Sequence, residues 1–289
     1  MAADSSPTVV RFEDVSLAYE ETRALDHVSF AVSAGETRIV LGAAGSGKTV
    51  LLKTVVGLTR PDSGHVYLFD EEVTNRKESG MYGIRSRVGI LFQEGALFDS
   101  LTIEENVGYP LSNQQALHHK EGHQVEIDPA EIARRVSESL NFVGLEHTLE
   151  KFPSELSGGM RRRVGIARAI VTAPPLVLYD SPTAGLDPIT ANRIIHLIIK
   201  QRDLQNTAAI LVTHRYQDGH MMANFRYNPN SGAVEAVRHT QGSGGVRESQ
   251  MTTKFFVMNE GRLVFEGSET ELLASADPYV QKFARPGSS

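Results

Sequence analysis

A mixed α/β fold built on a parallel sheet is what this sequence predicts, and three apolar runs predict it. Arg38-Ile39-Val40-Leu41 leads into the glycine-rich stretch Gly42-Ala43-Ala44-Gly45-Ser46-Gly47-Lys48-Thr49, which opens into Val50-Leu51-Leu52-Lys53-Thr54-Val55-Val56. Leu176-Val177-Leu178-Tyr179-Asp180 closes on an acid, and Thr207-Ala208-Ala209-Ile210-Leu211-Val212-Thr213-His214 closes on a histidine. Short apolar runs bounded by turn residues read as buried strands. Parallel α/β sheets collect their ligands at the C-terminal ends of such strands.

Strand, glycine-rich turn and helix, in that order, form the context of a phosphate-binding loop. Glycines let backbone N–H groups curl around a phosphate without Cβ clashes, and the helix N-terminus adds a favourable dipole. Lys48 can reach the β- and γ-phosphates as a point charge, and Thr49 can offer its hydroxyl to Mg²⁺. The contact set therefore runs Gly42, Ala43, Ala44, Gly45, Ser46, Gly47, Lys48, Thr49 and Val50. A turn that merely joins strand to helix would not need every fixed position filled, so a bound nucleoside triphosphate is expected.

Composition narrows the rest. The 289 residues suffice for a sizeable core. A formal charge of -6 argues against nucleic acid as the main partner. Without cysteine, disulfides and thiolate chemistry are excluded. No apolar run approaches the roughly 20 residues that span a bilayer, and the N-terminus lacks a signal peptide's pattern. A soluble cytoplasmic protein is expected, with any membrane association made through a partner.

In chain order, Val9–Val15 and Ala24–Val32 read as strands, with Tyr19 between them. An aromatic there could stack on an adenine ring, or be an ordinary strand-edge tyrosine. Arg60-Pro61-Asp62-Ser63-Gly64 is a turn into the strand Val66–Phe69. Val88–Phe92 is a buried strand with Gln93 at its end, where an amide could hold Mg²⁺ or water. Residues 112–127 read as a polar loop; the grouped His118, His119 and His123 suggest a metal less than a solvated surface. Asp128-Pro129-Ala130-Glu131 starts a helix with an N-cap, an N1 proline and a capping-box glutamate. Ile132, Val136, Leu140 and Val143 share one face, and Gly144 ends it.

Leu156-Ser157-Gly158-Gly159-Met160 leads into a further helix, on which Met160, Val164, Ala167 and Val171 share a face. Serine and two glycines at a helix N-terminus form a second anion-binding device. Arg161, Arg162 and Arg163 are expected on a solvated face. Asp180, closing its strand beside a phosphate loop, is where an aspartate would hold Mg²⁺ through water. His214 is a candidate γ-phosphate contact. Residues 226–250 read as an exposed polar excursion, a hairpin about Pro229-Asn230-Ser231-Gly232 followed by a flexible linker. A hairpin around Asn259-Glu260-Gly261 joins Phe255–Met258 to Arg262–Phe265, and Ser268 with Glu271 caps a final helix.

Together these motifs resemble the ATP-binding subunits of ABC transporters, from about Val9 to Phe283. The phosphate loop, Gln93, the Leu156–Met160 signature, the acid-ended strand, Gly185-Leu186-Asp187 and His214 follow in that family's order. Phe92-Gln93-Glu94-Gly95-Ala96-Leu97-Phe98, Met160 and Asp187-Pro188-Ile189-Thr190 resemble more narrowly the Mla/Mce-type lipid-transport, or organic-solvent-resistance, ATPases of bacterial envelopes. The resemblance implies one domain over 8–284, a phosphate-loop NTPase core with a small antiparallel β region, a helical subdomain near 100–172 and the polar insertion at 226–250. It implies ATP and Mg²⁺ as cofactors, with Thr49, Gln93 and Asp180 at the metal. It also implies adenine stacking by Tyr19 and a head-to-tail dimer in which Ser157, Gly158 and Gly159 face the partner's nucleotide. Asp187 would contact that second subunit. A transmembrane permease would dock beside Gln93, placing the chain on the inner face of the plasma membrane, with an MCE-type lipid-binding protein as a further partner.

One departure stands out. After the strand-end aspartate the family carries a glutamate that activates the attacking water, and Ser181 stands there instead. Serine is a poor base at neutral pH, and losing a general base costs about 10²–10⁴-fold in rate. Three explanations compete: a slow natural ATPase, a base supplied from elsewhere, and an engineered ATP trap. A subunit that binds ATP and dimerises without turnover is the alternative function. A soluble ABC protein acting on ribosomes or DNA fits less well, since those usually carry tandem ATPase units or a long coiled-coil insertion.

Overall fold

The computed structural model describes residues 6–120, 128–237 and 252–284, except the side chains of Glu94 and residues 114–120. The chain opens with β1 (Thr8–Tyr19), β2 (Thr22–Ser33), β3 (Thr37–Gly42), α1 (Lys48–Val55), β4 (Ser63–Leu68) and β5 (Glu71–Glu72). Next come α2 (Glu78–Arg85), β6 (Val88–Leu91), α3 (Ile103–Lys120), α4 (Pro129–Phe142) and α5 (Gly158–Ile170). β7 (Leu176–Asp180), α6 (Pro188–Gln205), β8 (Ala208–Val212), α7 (Tyr216–Asn224), β9 (Phe225–Asn228) and β10 (Ala233–Ala236) follow. β11 (Thr253–Asn259), β12 (Arg262–Gly267), α8 (Glu269–Leu273) and α9 (Pro278–Gln281) complete the described chain.

The central sheet has the order β12-β11-β3-β8-β7-β6; the five strands from β11 to β6 are parallel, and β12 pairs antiparallel at the edge. The inner parallel strands β3, β8 and β7 are almost fully buried, apolar-rich runs because both faces are covered. Ile39, Leu41, Val177, Tyr179, Ala209 and Leu211 point into one core. Their neighbours Val40, Leu176, Leu178, Ala208, Ile210 and Val212 point into the other. The first core is closed by α3 to α6, the second by α1 and the antiparallel sheet β2-β1-β4-β5. This is the α/β architecture the sequence predicts, with its antiparallel region and helices.

Three local expectations meet the structure differently. Residues 112–120 are the second half of α3 rather than loop. Ile103, Val107 and Leu111, spaced at i, i+4 and i+8, anchor the helix in the core, and the Gln-, Ala- and Leu-containing sequence beyond has good helical propensity. The histidine side chains at 118 and 119, and His123 entirely, lie outside the described residues. Arg162 is buried rather than solvated, because a loop after β7 covers that side of α5. The hairpin expected at 229–232 exists as β9 and β10, but β9 is half-buried rather than an exposed excursion. Asp203 of α6 accepts from the Tyr227 N–H at 2.7 Å, and Lys200 lies against the Tyr227 ring. The linker proposed after it lies outside the described residues.

α3, α4 and α5 pack on one another. The Asp128 side chain caps α4 by accepting from the Ala130 N–H. Ser268 and Glu271 form the reciprocal box at α8.

Candidate functional site

Parallel register brings the predicted groups to one edge of the sheet. Val40 of β3 pairs with Val212 of β8, Val212 with Asp180 of β7, and Tyr179 with Leu91 of β6. Gly42, His214 and Gln93 each follow their paired strand residue by two positions, so all three leave the sheet on the side where Asp180 ends its strand.

The phosphate loop is shaped by close approaches. Gly47, at φ 101°, caps α1; a Cβ there would lie 2.2 Å from the Ala24 carbonyl oxygen, so no other residue fits without moving β2. Gly45 is also left-handed, at φ 77°. Ala43, Ala44 and Gly45 are exposed, and so is Thr49, leaving an open mouth at the helix N-terminus. The Lys48 ammonium is folded back over the loop, donating to the carbonyls of Gly42 at 2.8 Å and Ala43 at 2.6 Å and to Ser46 Oγ at 3.3 Å. Burial lowers its pKa, and the nearby Asp180 charge opposes that shift. A cation held over the loop, an exposed helix N-terminus and no room for larger side chains suit a polyphosphate.

Tyr19 ends β1 and is half-exposed. It pairs with Thr22, two residues before Ala24, so it stands beside the wall against which Gly47 packs. Asp180 is buried at its strand end, and Ser181 Oγ donates to its Oδ1 at 3.1 Å. Among the described residues no cluster of three or more His, Cys, Asp or Glu could hold a metal. The Thr49 hydroxyl and the Asp180 carboxylate suit Mg²⁺, which habitually takes one or two protein ligands alongside phosphate and water. Gln93 begins a short 3₁₀ turn and is exposed, as is His214.

Ser157, Gly158 and Gly159 are not gathered with the phosphate loop. Ser157 caps α5, its hydroxyl accepting from the Met160 N–H at 3.3 Å. The three residues line a separate cavity with Gly185, Leu186 and Asp187, and none of residues 42–49 lines it. Asp187 caps α6, accepting from the N–H groups of Ile189 and Thr190 at 3.0 Å each. The two glycine-flanked helix ends thus address different spaces.

A family model described as "ABC transporter" matches residues 25–184, a span that holds both helix ends and Asp180. The chain belongs to the ABC transporter family. Among curated relatives, the methionine import ATP-binding protein MetN 2 of Bacillus cereus is 36% identical over 210 residues, covering 71% of this chain and 59% of that protein. The probable ribonucleotide transport ATP-binding protein mkl of Mycobacterium leprae is 35% identical over 205 residues, covering 71% of this chain and 56% of that one. The matched region therefore spans less than three-fifths of either relative. Among solved structures, an ATP-binding cassette described as a dimer in a post-hydrolysis state bound to ADP and Pi superposes with a TM-score of 0.69 at 26% identity, covering 90% of this chain and 98% of that one. Among the described residues of this chain no helix is long and apolar enough to cross a membrane.

Three residues of this ABC chain escaped the reading of motifs. Arg162 donates from Nη1 to the Ser181 carbonyl at 2.8 Å and from Nη2 to the Ala184 carbonyl at 3.2 Å. Asp218 is buried on α7 and accepts at Oδ2 from the hydroxyls of Thr183 at 2.5 Å and Thr213 at 2.7 Å, tying the loop after β7 to the one after β8. Burial raises its pKa, and the two threonine hydrogen bonds, Arg215 and His214 oppose the rise. Tyr279 of α9 donates its hydroxyl to the Met258 carbonyl at 3.1 Å and accepts from the Ala43 N–H at 3.5 Å, pinning the C-terminal helix to the phosphate loop. Only Asp218 left a trace in the sequence, as an acid one helical turn beyond the strand-ending histidine.

Proposed function

We propose that this chain is the ATPase subunit of a bacterial ABC transporter that moves phospholipid or another lipid across the envelope. It works as a head-to-tail dimer bound to a transmembrane permease on the inner face of the plasma membrane, with an MCE-type lipid-binding protein in the assembly. The observation that carries the ATPase reading is the convergence of Lys48, Asp180 and His214 at one sheet edge, set by strand register. Bound Mg-ATP would supply the phosphoryl group and a cation that neutralises it. Lys48 would turn from its own loop carbonyls to the phosphates, Thr49 and Asp180 would hold the metal side, and His214 would donate to the γ-phosphate as charge builds. The single-chain separation of Ser157–Gly159 from the phosphate loop supports the sandwich, since a partner's nucleotide could use that second helix end.

Docking of a permease is supported beside Gln93. A cavity of about 530 Å³ is lined there by Phe92, Tyr82, Phe98 and Tyr109, with Arg85 and Arg168 at its sides. Tyr82, Phe98 and Tyr109 are 39%, 42% and 45% exposed, a high exposure for three neighbouring aromatic rings and one suited to a partner's apolar segment. The lipid cargo rests on the stretches 92–98, 156–160 and 187–190, whereas relatives are named for methionine and ribonucleotides. Purification with its permease from membranes, followed by mass spectrometry of the bound lipid, tests the cargo. ATP turnover stimulated by methionine or nucleotides, with no lipid enriched, would overturn it.

Ser181 favours a second reading, an ATP-dependent dimerising subunit without turnover. Phosphate release measured with the permease present separates the two: a release rate no faster than that of Lys48→Ala supports the clamp.

A further inference from the structure

The second helix end opens onto more than a surface for a partner. A cavity of about 950 Å³ lies between the first turn of α5, one face of α6 and the tip of the β9–β10 hairpin. That is room for a whole small molecule, since ligand pockets usually hold about 300–1,000 Å³. Three cations line it: Arg163 of α5, and Arg193 and Lys200 of α6. The one carboxylate in the lining, Asp187, is committed to capping α6. Among the described residues none of the three cations forms an ion pair. Their other contacts are neutral. Arg163 donates to the Val143 carbonyl at 2.9 Å, and Lys200 lies over the rings of Phe142 and Tyr227 at 4.8 and 5.4 Å.

Unbalanced like charges are costly to hold together in a concave, partly dehydrated space. The cost is visible on Arg163, whose pKa is lowered by burial first and by Arg193 second. An anion would relieve it. Besides Ser157, Thr190 and His196, which add polar groups, the walls include the apolar or aromatic Ile194 and Leu197 on α6 and Val234 and Tyr227 on the hairpin. A bare inorganic ion would satisfy the cations and leave most of the volume and these walls unused.

We propose that this cavity binds an organic phosphate, its phosphate held by Arg163, Arg193 and Lys200 and its apolar body packed on Leu197, Val234 and Tyr227. The hairpin thereby acquires a purpose, because Tyr227, Gly232, Ala233 and Val234 supply part of the cavity wall. The inference is independent of the cargo proposed above. Either a phospholipid headgroup region or a nucleotide fits the chemistry, and these are separated experimentally.

The test uses the full chain saturated with Mg-ADP, so that the phosphate loop is filled. The chain has no tryptophan, so Ala233→Trp at the lip of the cavity makes a sole tryptophan reporter, excited selectively over the tyrosines. Dihexanoyl phosphatidic acid, AMP and inorganic phosphate are titrated in turn. One of the two organic probes is expected to change the emission and to bind at least about tenfold more tightly than inorganic phosphate. Arg193→Gln with Lys200→Gln should weaken it about tenfold or more, the loss expected for charge-assisted hydrogen bonds, while Mg-ADP affinity and melting temperature hold. Tighter phosphatidate identifies a lipid source, tighter AMP a nucleotide source. Because the reporter could itself crowd the cavity, calorimetry on the unmodified chain repeats each titration. Inorganic phosphate binding as tightly as both organic probes, an affinity unchanged by the double substitution, or no calorimetric binding of any probe near 1 mM would overturn the proposal.

Discussion

Ser181→Glu puts a carboxylate where the attacking water would stand, and the structure sets both its gain and its cost. Ser181 lies at φ 49°, its N–H bound to the Val212 carbonyl at 2.9 Å and its carbonyl to Arg162. Serine already bears the left-handed backbone strain, so glutamate adds no new backbone term. The side chain is half-buried and its Oγ is 3.1 Å from Asp180 Oδ1, so a carboxylate there meets a like charge. At about 4–5 Å such a pair repels by about 1–4 kcal/mol, depending on local dielectric. The repulsion falls as the longer side chain turns away from Asp180, and what remains raises basicity, which favours proton abstraction. A general base contributes about 10²–10⁴-fold. The low end is expected here, an acceleration of about 10²-fold or roughly 2.7 kcal/mol of transition-state stabilisation. ATP affinity should change by less than about twofold, because position 181 does not touch the phosphate loop's donors. Single-turnover hydrolysis of Mg-ATP with the permease present is the assay, since subunit separation or product release can mask chemistry in the steady state. A wild-type rate of about 1 s⁻¹ or more, unchanged by glutamate, would refute the reasoning and place the base elsewhere.

Three other perturbations read different parts of the same site. Lys48→Ala should abolish ATP binding while Ser181→Ala leaves it nearly intact; titration with a fluorescent ATP analogue checks this, and equal losses would contradict the roles given to the two positions. Arg162→Met removes two hydrogen bonds to loop carbonyls and should cost about 2–4 kcal/mol in urea unfolding, at about 1–3 kcal/mol per unsatisfied buried group; a loss under about 0.5 kcal/mol would mean that water replaces the guanidinium without penalty. Asp218 should make stability fall as pH rises from about 3.8, the ordinary aspartate value, towards its own raised pKa, because in that window the folded state holds more protons than the unfolded one. Asp218→Asn should flatten this slope in denaturant midpoints measured from acid to neutral pH, and an identical slope in both proteins would remove the assignment.

What was legible in the sequence was what depends on neighbours along the chain. Buried parallel strands announce themselves as unbroken apolar runs, and β3, β7, β8 and β11 all did. Caps are equally local, as Asp128 and Ser268 show. The phosphate loop is legible because its glycines answer to contacts that always arise at such a turn. Arg162 was illegible for the opposite reason. It sits two residues from Met160, well off the apolar face of α5, where periodicity assigns solvent; a loop twenty residues later in the chain occupies that space instead. The packing of β9 was hidden likewise, since it depends on Lys200 and Asp203 of a preceding helix. The extent of α3 is hidden because Pro110 and the polar residues after it read as a loop, whereas the helix runs through that proline to Lys120, anchored by Ile103, Val107 and Leu111.

The residues that periodicity missed explain why a serine can occupy position 181 without the site collapsing. The loop 181–184 is held mainly through its backbone and through Thr183, with the Ser181 hydroxyl adding a single hydrogen bond to Asp180. Val212 accepts from its first N–H, Arg162 grips the carbonyls at 181 and 184, and Asp218 takes the Thr183 hydroxyl. Whatever residue stands at 181 is presented from the same place. Arg162 also belongs to α5, the helix whose N-terminus is Ser157-Gly158-Gly159. The loop after β7 and the N-terminus of α5 are therefore joined by one buried guanidinium on one helix. A partner nucleotide pulling on the N-terminus of α5 would move position 181 with it, so in the proposed dimer hydrolytic geometry depends on closure even where the residue at 181 supplies no base.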